Sequence, residues 1–404
     1  MDAKSIGKTL ATLRKKAGLT QSELANMLRI SDKTVSKWEN GQGYPDIVMF
    51  PEIAAIFNVT VDYLMLGEKK GISFAGNMLV DVVKNIDIYP KPGMLAYVSD
   101  VQKAVGGCVP NTAIDLAKID KSIPIKAYGK IGDDENGHFL VSQMQKYGID
   151  TAGIVVSSVT PTSFSDVMSL PAGERTFFHK KGANAEFCVE DIDLSSLDCA
   201  IFHIGYILLL DALDKEDAKY GTVMAGLLKK VQEKGIKTSI DVVSDSTADY
   251  QKKIVPALKY CDYVIINEME CCEIWGLSPY KADGVIDKKA IKEAMKRTAD
   301  CGVKEKIIVH AKKIAFALDI KSGEFTELPS LKIPSEQIVG SVGAGDAFCA
   351  GALYGIYSGF DDKQILEFAS ASAACSLFAA TSVDGMKSKR EIIEIAENYE
   401  RLKI

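Results

Sequence analysis

A carboxylate directly follows two glycines near the end of the chain, in the segment Gly343-Ala344-Gly345-Asp346. Glycines permit a tight turn that points consecutive backbone N–H groups outward, and the apolar residues 347–354 predict a helix that starts there. The positive end of that helix dipole would make the turn an anion site. A carboxylate there would repel phosphate unless it had a role, such as taking a proton from a hydroxyl that attacks a phosphoryl group. The alternative is that Asp346 only caps the helix, and four residues do not decide between the two.

Six segments together resemble one family. The segment 343–346 resembles the G-A-G-D signature of the ribokinase-like (PfkB) carbohydrate kinases. The other five follow in that family's order: residues 74–81, 106–113 (a G-G-x-x-x-N-x-A loop), 132–137, 182–185 and 267–270 (an N-x-x-E element). The resemblance covers about residues 73–404. One of these motifs alone would be weak evidence for the family, whereas six in the family's order indicate it.

The resemblance implies an α/β domain with a mainly parallel sheet, flanking helices and a small β lid. It implies ATP-dependent phosphorylation of a sugar or sugar-like hydroxyl, with Asp346 as general base and the N–H groups of Gly343, Ala344 and Gly345 stabilising charge on the transferred group. It also implies that Asp81, the last residue of the first strand, binds the sugar together with Gly106, Gly107, Asn111 and Asn184. Asn267 and Glu270 would order Mg²⁺ through water, and Glu174 and His179 lie on a lid hairpin near the substrate. Asp81 could instead form a turn at a strand end, and Asn111 could be a helix N-cap.

Two segments depart from the family pattern. Gly340-Ser341-Val342 stands where most members have Asp-Thr-x, and the missing carboxylate normally helps to hold a monovalent cation. His310-Ala311-Lys312-Lys313-Ile314-Ala315 replaces a Gly-x-x-Gly nucleotide loop, which predicts an altered ATP site. Two function classes therefore stay open: an active sugar kinase, and a sugar-sensing transcription factor whose kinase domain only binds ligand. Asp346 favours the kinase, because a sensor needs no general base.

The N-terminal region differs in charge from the rest. Residues 1–40 contain eight Lys and Arg and four acidic residues, a net charge of +4, whereas the whole chain carries −6 and the remainder therefore −10. A basic region on an acidic body indicates an anionic partner for that region.

Capping residues in the same region predict a helix-turn-helix. Thr20 and Glu23 form a capping box, and Ser31 caps a helix over 32–39 that stops at Asn40-Gly41. Residues 19–41 closely resemble the phage-repressor (XRE-type) DNA-binding family. The resemblance implies that the third helix enters the major groove, with Lys33, Thr34 and Lys37 facing the bases and Gln21 reaching phosphate. Some domains of this type mediate only protein contacts, which is the alternative.

The chain is therefore expected to contain an all-α helix-turn-helix domain (1–67), a linker (68–72) and an α/β ribokinase-like domain (73–404). Strand-like and helix-like runs alternate beyond residue 237, which favours a parallel sheet. The longest apolar run, 201–210, is too short to span a membrane, and the start shows no signal-peptide pattern. Nine cysteines without a C-x-x-C pair indicate reduced thiols. A cytoplasmic homodimer that binds double-stranded DNA and dimerises through lid residues 81–100 and 155–180 is the expectation.

Overall fold

Local capping hydrogen bonds define the N-terminal helices. Thr20 Oγ1 accepts a hydrogen bond from the Glu23 N–H at 3.2 Å, and the Glu23 carboxylate accepts one from the Thr20 N–H at 2.7 Å. Ser31 Oγ accepts one from the Thr34 N–H at 3.1 Å. The first N–H groups of a helix have no partner inside it, so these side chains fix where the helices start. The predicted capping box and the Ser31 cap are both present.

The computed structural model describes residues 2–67, 70–170, 175–244 and 249–404. The chain divides into two compact units, Met1–Lys70 and Gly71–Ile404. The helices of the first unit are α1 (Ala3–Lys16), α2 (Gln21–Met27), α3 (Asp32–Glu39), α4 (Phe50–Phe57) and α5 (Val61–Leu66), with a 3₁₀ turn at Ile47–Met49.

The helices of the first unit pack around an apolar core that contains Leu10, Leu24, Val35 and Ile53. Val35 and Trp38 are core residues of α3, as their helical spacing predicts.

A buried polar network ties α1, α2 and α3 together. Arg14 donates to both carboxylate oxygens of Glu39, at 2.6 and 2.9 Å, and Gln21 Nε2 donates to Glu39 Oε2 at 2.8 Å.

The second unit is built on a mainly parallel sheet. Its strands are β1 (Ile72–Gly76), β2 (Leu79–Ile86), β3 (Val98–Gly106), β4 (Ile125–Gly132), β5 (Asp150–Ser157), β6 (Phe164–Ser169), β7 (Arg175–Lys180), β8 (Ile201–Ile207), β9 (Glu216–Asp217), β10 (Gly221–Thr222), β11 (Lys237–Val242), β12 (Tyr263–Asn267), β13 (Lys306–His310), β14 (Ile314–Asp319) and β15 (Phe325–Pro329). In the described residues, nine of them form one sheet in the order β15-β14-β13-β12-β11-β8-β1-β4-β5. The pairs from β13 to β5 are parallel, and β14 and β15 add an antiparallel edge.

Helices cover both faces of this sheet. They are α6 (Cys108–Ile119), α7 (Glu135–Lys146), α8 (Val223–Glu233), α9 (Tyr250–Leu258), α10 (Glu268–Glu273), α11 (Lys288–Asp300), α12 (Ala344–Tyr357), α13 (Asp362–Ser376) and α14 (Lys389–Asn398), with 3₁₀ turns at Gly182–Glu186, Val189–Asp191 and Ser335–Gln337. Neighbouring strand residues such as Phe74 and Ala75 belong to two different cores because they point to opposite faces. This two-sided burial explains the continuous apolar runs of the central strands.

A second sheet of four strands, in the order β3-β2-β6-β7, forms the lid. The prediction that the first strand ends at Asp81 is wrong, because β1 ends at Gly76 and Asp81 is the third residue of lid strand β2. Gly76 has φ 120, and a Cβ there would lie 1.7 Å from the carbonyl oxygen of Gly205. The chain therefore leaves the main sheet at this glycine and enters the lid.

All nine cysteines are free thiols, as the sequence predicts. In the parts of the chain that the structure describes, every helix is too short or too polar to cross a membrane.

Candidate active site and helix-turn-helix surface

Asp346 lies in the first turn of α12, behind the glycine turn. Gly343 is the N-cap in the left-handed conformation (φ 78), where a Cβ would lie 2.6 Å from Cβ and from the carbonyl oxygen of Ser382. The residues that the structure describes provide no acceptor for the N–H groups of Gly343, Ala344 and Gly345. The turn therefore offers free donors at the positive end of a 14-residue helix, an arrangement that suits an anion.

Both carboxylate oxygens of Asp346 accept a hydrogen bond from a distant part of the chain. Asn111 Nδ2 donates to Oδ2 at 2.8 Å, and the Tyr206 hydroxyl donates to Oδ1 at 2.8 Å. Ser382 Oγ donates to Asn111 Oδ1 at 2.8 Å and so fixes the amide orientation. The carboxyl is thus held by α6 and β8 at the start of α12.

Burial controls the acidity of Asp346. Removal from water raises its pKa, and the hydrogen bonds from Asn111 and Tyr206 partly oppose that rise. A water-excluded carboxylate with fixed donors is suited to accept a proton from a bound hydroxyl.

The predicted sugar-binding residues divide into two groups. Asp81 lies near Asp346: burial raises the pKa of Asp81 to about 7, the charge of Asp346 adds to that rise, and Arg175 opposes it. A Cβ on Gly106 would lie 2.5 Å from Asp81 Oδ2, and Gly107 has φ 84, so both glycines allow the loop to approach closely. Asn184 differs, because its amide accepts from the Met78 N–H and donates to the Met78 carbonyl, and its side chain is 0% exposed. The structure does not bring Asn184 to the cleft as a free group.

The N-x-x-E element forms a cap at the start of α10. Asn267 Oδ1 accepts from the Glu270 N–H at 2.8 Å, and Glu270 Oε1 accepts from Asn267 Nδ2 at 2.7 Å and from Ser244 Oγ at 2.9 Å. Burial raises the pKa of Glu270 to about 7. Asp241 at the end of β11 is a further buried carboxyl whose pKa is raised by burial, then by Glu270 and Asp346. Glu270 and Asp241 are thus two buried carboxyl groups close enough for the charge of Glu270 to raise the pKa of Asp241, and carboxylate oxygens are ligands that a hard divalent cation prefers.

One further group could ligate a metal. His203, Asp241 and Cys349 place a ring nitrogen, a carboxylate oxygen and a thiol within 4.8 Å of one another, all buried. His203 Nδ1 is within 3.0 Å of Ser239 Oγ, and burial lowers the pKa of His203 to about 3. These contacts are also those of a neutral core histidine.

A cleft of about 640 Å³ opens beside the anion turn. Ala344 and Gly345 line it, whereas Asp346 does not. Its other lining residues include three lysines (Lys312, Lys313, Lys332) and apolar side chains (Leu331, Ile333, Ile338, Phe348, Leu377, Leu402). The volume and apolar walls suit a nucleotide-sized ligand, and the lysines suit an anion. The altered loop that the sequence analysis identified therefore lies in this cleft.

In the lid, His179 Nδ1 lies 3.0 Å from Ser165 Oγ, while Glu174 lies outside the described residues.

The helix-turn-helix residues differ in availability. Lys33 and Lys37 are exposed on α3, and Thr34 is half-buried with its hydroxyl 2.8 Å from Ser31 Oγ. Gln21 is half-buried and donates one amide N–H to Glu39, so it contributes to the fold of the unit while its second N–H is not used by that bond.

Comparison with known proteins places both units in families. The profile of the pfkB family carbohydrate kinases matches residues 69–388, and a helix-turn-helix profile matches residues 10–64. The chain is 25% identical to fructokinase-1 of Oryza sativa subsp. japonica over 351 residues, which cover 83% of this chain and 100% of that protein. It is 26% identical to 5-dehydro-2-deoxygluconokinase of Shouchella clausii over 306 residues, or 73% and 87% of the two chains. The ribokinase of Arabidopsis thaliana, solved with ribose and ATP, matches with a TM-score of 0.67 and 19% identity over 81% of this chain and 99% of that one.

The chain therefore belongs to the pfkB family of carbohydrate kinases and carries an N-terminal helix-turn-helix domain. The predicted fold class, enzyme class and helix-turn-helix are confirmed.

Three residues of the site were missed by sequence reasoning: Tyr206, Ser382 and Asp241. Each is a common residue type outside the recognised motifs. The signal that could have found Asp241 is its position at the carboxyl end of a predicted strand, where ligands of parallel sheets bind. Tyr206 and Ser382 had no such signal.

Proposed function

We propose that the protein transfers the γ-phosphoryl group of ATP to a hydroxyl of a sugar or sugar-like compound, with Asp346 as general base. The observation that carries the proposal is the buried Asp346 carboxylate at the start of α12, beside three free N–H groups. The acceptor oxygen bonds to phosphorus, the bond from phosphorus to the bridging oxygen of ADP breaks, and the acceptor proton passes to Asp346.

The other residues have roles that follow from their positions. The N–H groups of Gly343, Ala344 and Gly345 donate to the oxygens of the transferred group. Asp81, Gly106 and Gly107 hold the acceptor, Asn111 holds the Asp346 carboxylate, and the 640 Å³ cleft receives the nucleotide. Asn267 and Glu270 would hold Mg²⁺ through water, with Asp241 as a further carboxylate nearby. The cation would neutralise phosphate charge in the transition state.

The acceptor is a sugar or sugar acid in this proposal, because the relatives above are named for fructose and for 5-dehydro-2-deoxygluconate. A panel of fructose, ribose and 5-dehydro-2-deoxygluconate with ATP and Mg²⁺ is the first experiment. The proposal would be contradicted if the protein phosphorylated none of these compounds and no compound of a wider panel.

The variant Asp346→Asn tests the assigned base. We expect kcat to fall by about 10²–10⁴ while acceptor and nucleotide still bind, because loss of a general base costs that range. Asp361→Asn is the matched control, since Asp361 also begins a helix but only caps it. Wild-type turnover in Asp346→Asn would refute the role.

The first unit is proposed to bind double-stranded DNA through α3. Lys33→Ala with Lys37→Ala should weaken binding and flatten its dependence on salt, because a protein with two fewer cationic side chains displaces fewer counterions from the DNA when it binds. Kinase activity in the same variant serves as the internal control.

A homodimer formed through the lid is proposed, supported by the exposed apolar residues Val101 (56% exposed) and Phe178 (57%), which the strand register places on the same face of the lid sheet. Such residues on a solvent face are typical of an interface. Sedimentation of Val101→Glu and Phe178→Glu should show monomers if this face is the interface, and dimers if it is not. The free thiols fit a reducing compartment such as the cytoplasm.

The second candidate function is a sugar-sensing transcription factor without turnover. The altered cation element at Gly340 and the missing Gly-x-x-Gly loop at residues 310–315, most of which line the cleft, favour it. Sugar binding by calorimetry together with no product in the panel would support this candidate.

A further inference from the structure

Strand β8 is irregular where it reaches the site. Its pairing with β11 shifts by one residue between Ile240 and Val242, so Gly205 and Tyr206 together oppose the single residue Asp241. Two residues opposite one form a β-bulge, which re-aims a side chain and occurs often beside active sites. The bulge therefore sets the direction of Tyr206.

The turn after β8 is held in an unusual conformation. Leu208 has φ 93, a value that favours glycine, and it follows Tyr206 by two residues. Asp214 Oδ2 accepts hydrogen bonds from the N–H groups of Leu208 at 3.0 Å and Leu210 at 3.1 Å. Such backbone strain persists only where the surroundings enforce it, and it clusters at functional sites. The bulge and this turn thus fix Tyr206 from both sides.

The constrained side chain ends on the proposed base. The Tyr206 hydroxyl donates to Asp346 Oδ1, and Asn111 donates to Oδ2, each at 2.8 Å. A carboxylate oxygen has two lone pairs, so an acceptor hydroxyl still has a site on the held carboxylate.

We propose that Tyr206 is a positioning residue: by donating to Asp346 Oδ1, it orients the carboxylate and stabilises the ionised form that accepts the proton. This inference rests on the proposed function, since it assigns Tyr206 a part in the same phosphoryl transfer.

The surroundings of Asp346 explain why such a donor matters. The titratable groups that face it are Asp81 from β2, Cys108 and Asp115 from α6, Asp241 from β11, His310 from β13 beside Gly345, and Cys349 from α12. Burial lowers the pKa of His310 to about 4, so it is neutral near pH 7. Within the described ranges, no recorded ion pair joins a cation to Asp346, and burial opposes its ionisation. Neutral donors must therefore stabilise the charge.

The kinetic test compares three side chains at residue 206 that differ in hydrogen-bond donor strength: phenylalanine, tyrosine and 3,5-difluorotyrosine. Tyr206→Phe removes the donor, so the acid limb of kcat/KM should move up by about one pH unit, because each donated hydrogen bond lowers a carboxyl pKa by about that amount. Below the limb this is about a tenfold loss of rate. Replacing Tyr206 with 3,5-difluorotyrosine, a stronger donor, should move the limb down. Tyr147→Phe, an exposed tyrosine at the end of α7, should leave the profile unchanged.

A second readout does not depend on activity. Protein labelled with [γ-¹³C]aspartate, with Asp346→Asn to assign the signal, gives the titration of Asp346 directly by NMR. The proposal requires the Asp346 midpoint to rise in Tyr206→Phe and fall in the difluorotyrosine protein. An unshifted midpoint, or an unshifted limb in both proteins, overturns it. Shifted midpoints in a protein that phosphorylates no acceptor would support the positioning of Asp346 while the proposed function fails.

Discussion

Asp115→Asn is expected to make the kinase unit more stable. Asp115 lies in the middle of α6, its side chain is 0% exposed, and neither carboxyl oxygen has a hydrogen-bond partner. Burial, followed by the charge of Asp346, raises the pKa of Asp115 well above its usual value, although Lys118 lowers it. Asparagine has nearly the same shape and no charge to neutralise.

The size of the gain depends on pH. The folded pKa of Asp115 lies above the unfolded value of about 3.9, so folding of the wild type takes up a proton between these two values. The contribution of Asp115 to the free energy of unfolding of the wild type is fully present below about pH 3.9. It falls by about 1.36 kcal/mol per pH unit from there up to the folded pKa. The advantage of Asp115→Asn should therefore grow as the pH rises above about 3.9.

The two tryptophans make the measurement specific. Trp38 lies in the first unit and Trp275 in the second, where its Nε1 donates to Thr298 Oγ1 at 3.0 Å. In a Trp38→Phe background, urea unfolding followed by Trp275 fluorescence reports the kinase unit alone. The free energy of unfolding is compared between pH 5 and pH 8.

Asp120→Asn is the control, at the end of the same helix. Partial burial raises the pKa of Asp120, but hydrogen bonds from Ser122 and the charge of Lys389 lower it overall. The same substitution should therefore be neutral or destabilising there. If Asp115→Asn is less stable than wild type at pH 7, Asp115 is ionised and paired, and the reasoning is refuted.

Three further predictions concern other parts of the chain. Glu39→Gln should destabilise the first unit by about 3 kcal/mol, because it leaves Arg14 as an uncompensated buried charge. Trp38 fluorescence in a Trp275→Phe background measures the free energy of unfolding of this unit. The hydrogen bonds from Arg14 and Gln21 outweigh burial and lower the pKa of Glu39. The contribution of Glu39 to the free energy of unfolding is therefore present above its unfolded pKa of about 4.3, and it is lost as the pH falls through its folded pKa. Initial rates in potassium should be close to those in a bulky organic cation at equal ionic strength, because Gly340 provides no carboxylate for the ion. A strong requirement for potassium would mean that other groups hold the ion. One such group is the Ala379 carbonyl, which lies 2.8 Å from where a Gly340 Cβ would be. Binding to a near-palindromic operator with half-sites about 34 Å apart should change by about 1–3 kcal/mol at saturating sugar, and unchanged gel-shift affinity would show that the units are only tethered.

The helix-turn-helix was predictable because its determinants are local. The capping residues Thr20, Glu23 and Ser31 form hydrogen bonds with residues three positions away, so their spacing in the sequence specifies these bonds. The G-A-G-D turn was predictable for the same reason, since Gly343 sets the backbone and the apolar run sets the helix.

The contacts made to Asp346 were not predictable. Asn111 and Tyr206 are separated from it by 235 and 140 residues, so no local pattern places them together. Asp81 shows the same limit: its motif was recognised, but the exit of the chain into the lid depends on the close approach of Gly76 to Gly205, which lies 129 residues away. The direction of Tyr206 depends on a bulge, and register shifts leave no mark in the alternation of a strand buried on both faces.

The long separations within the site have a consequence for synthesis. The first unit ends at residue 70, whereas Asp346 and Ser382 are added roughly 275 and 310 residues later. At about 5–20 residues per second, tens of seconds pass between the two events. A nascent or interrupted chain therefore presents a folded helix-turn-helix long before any phosphoryl-transfer site can exist, so the level of incomplete chains would alter DNA occupancy without altering kinase activity.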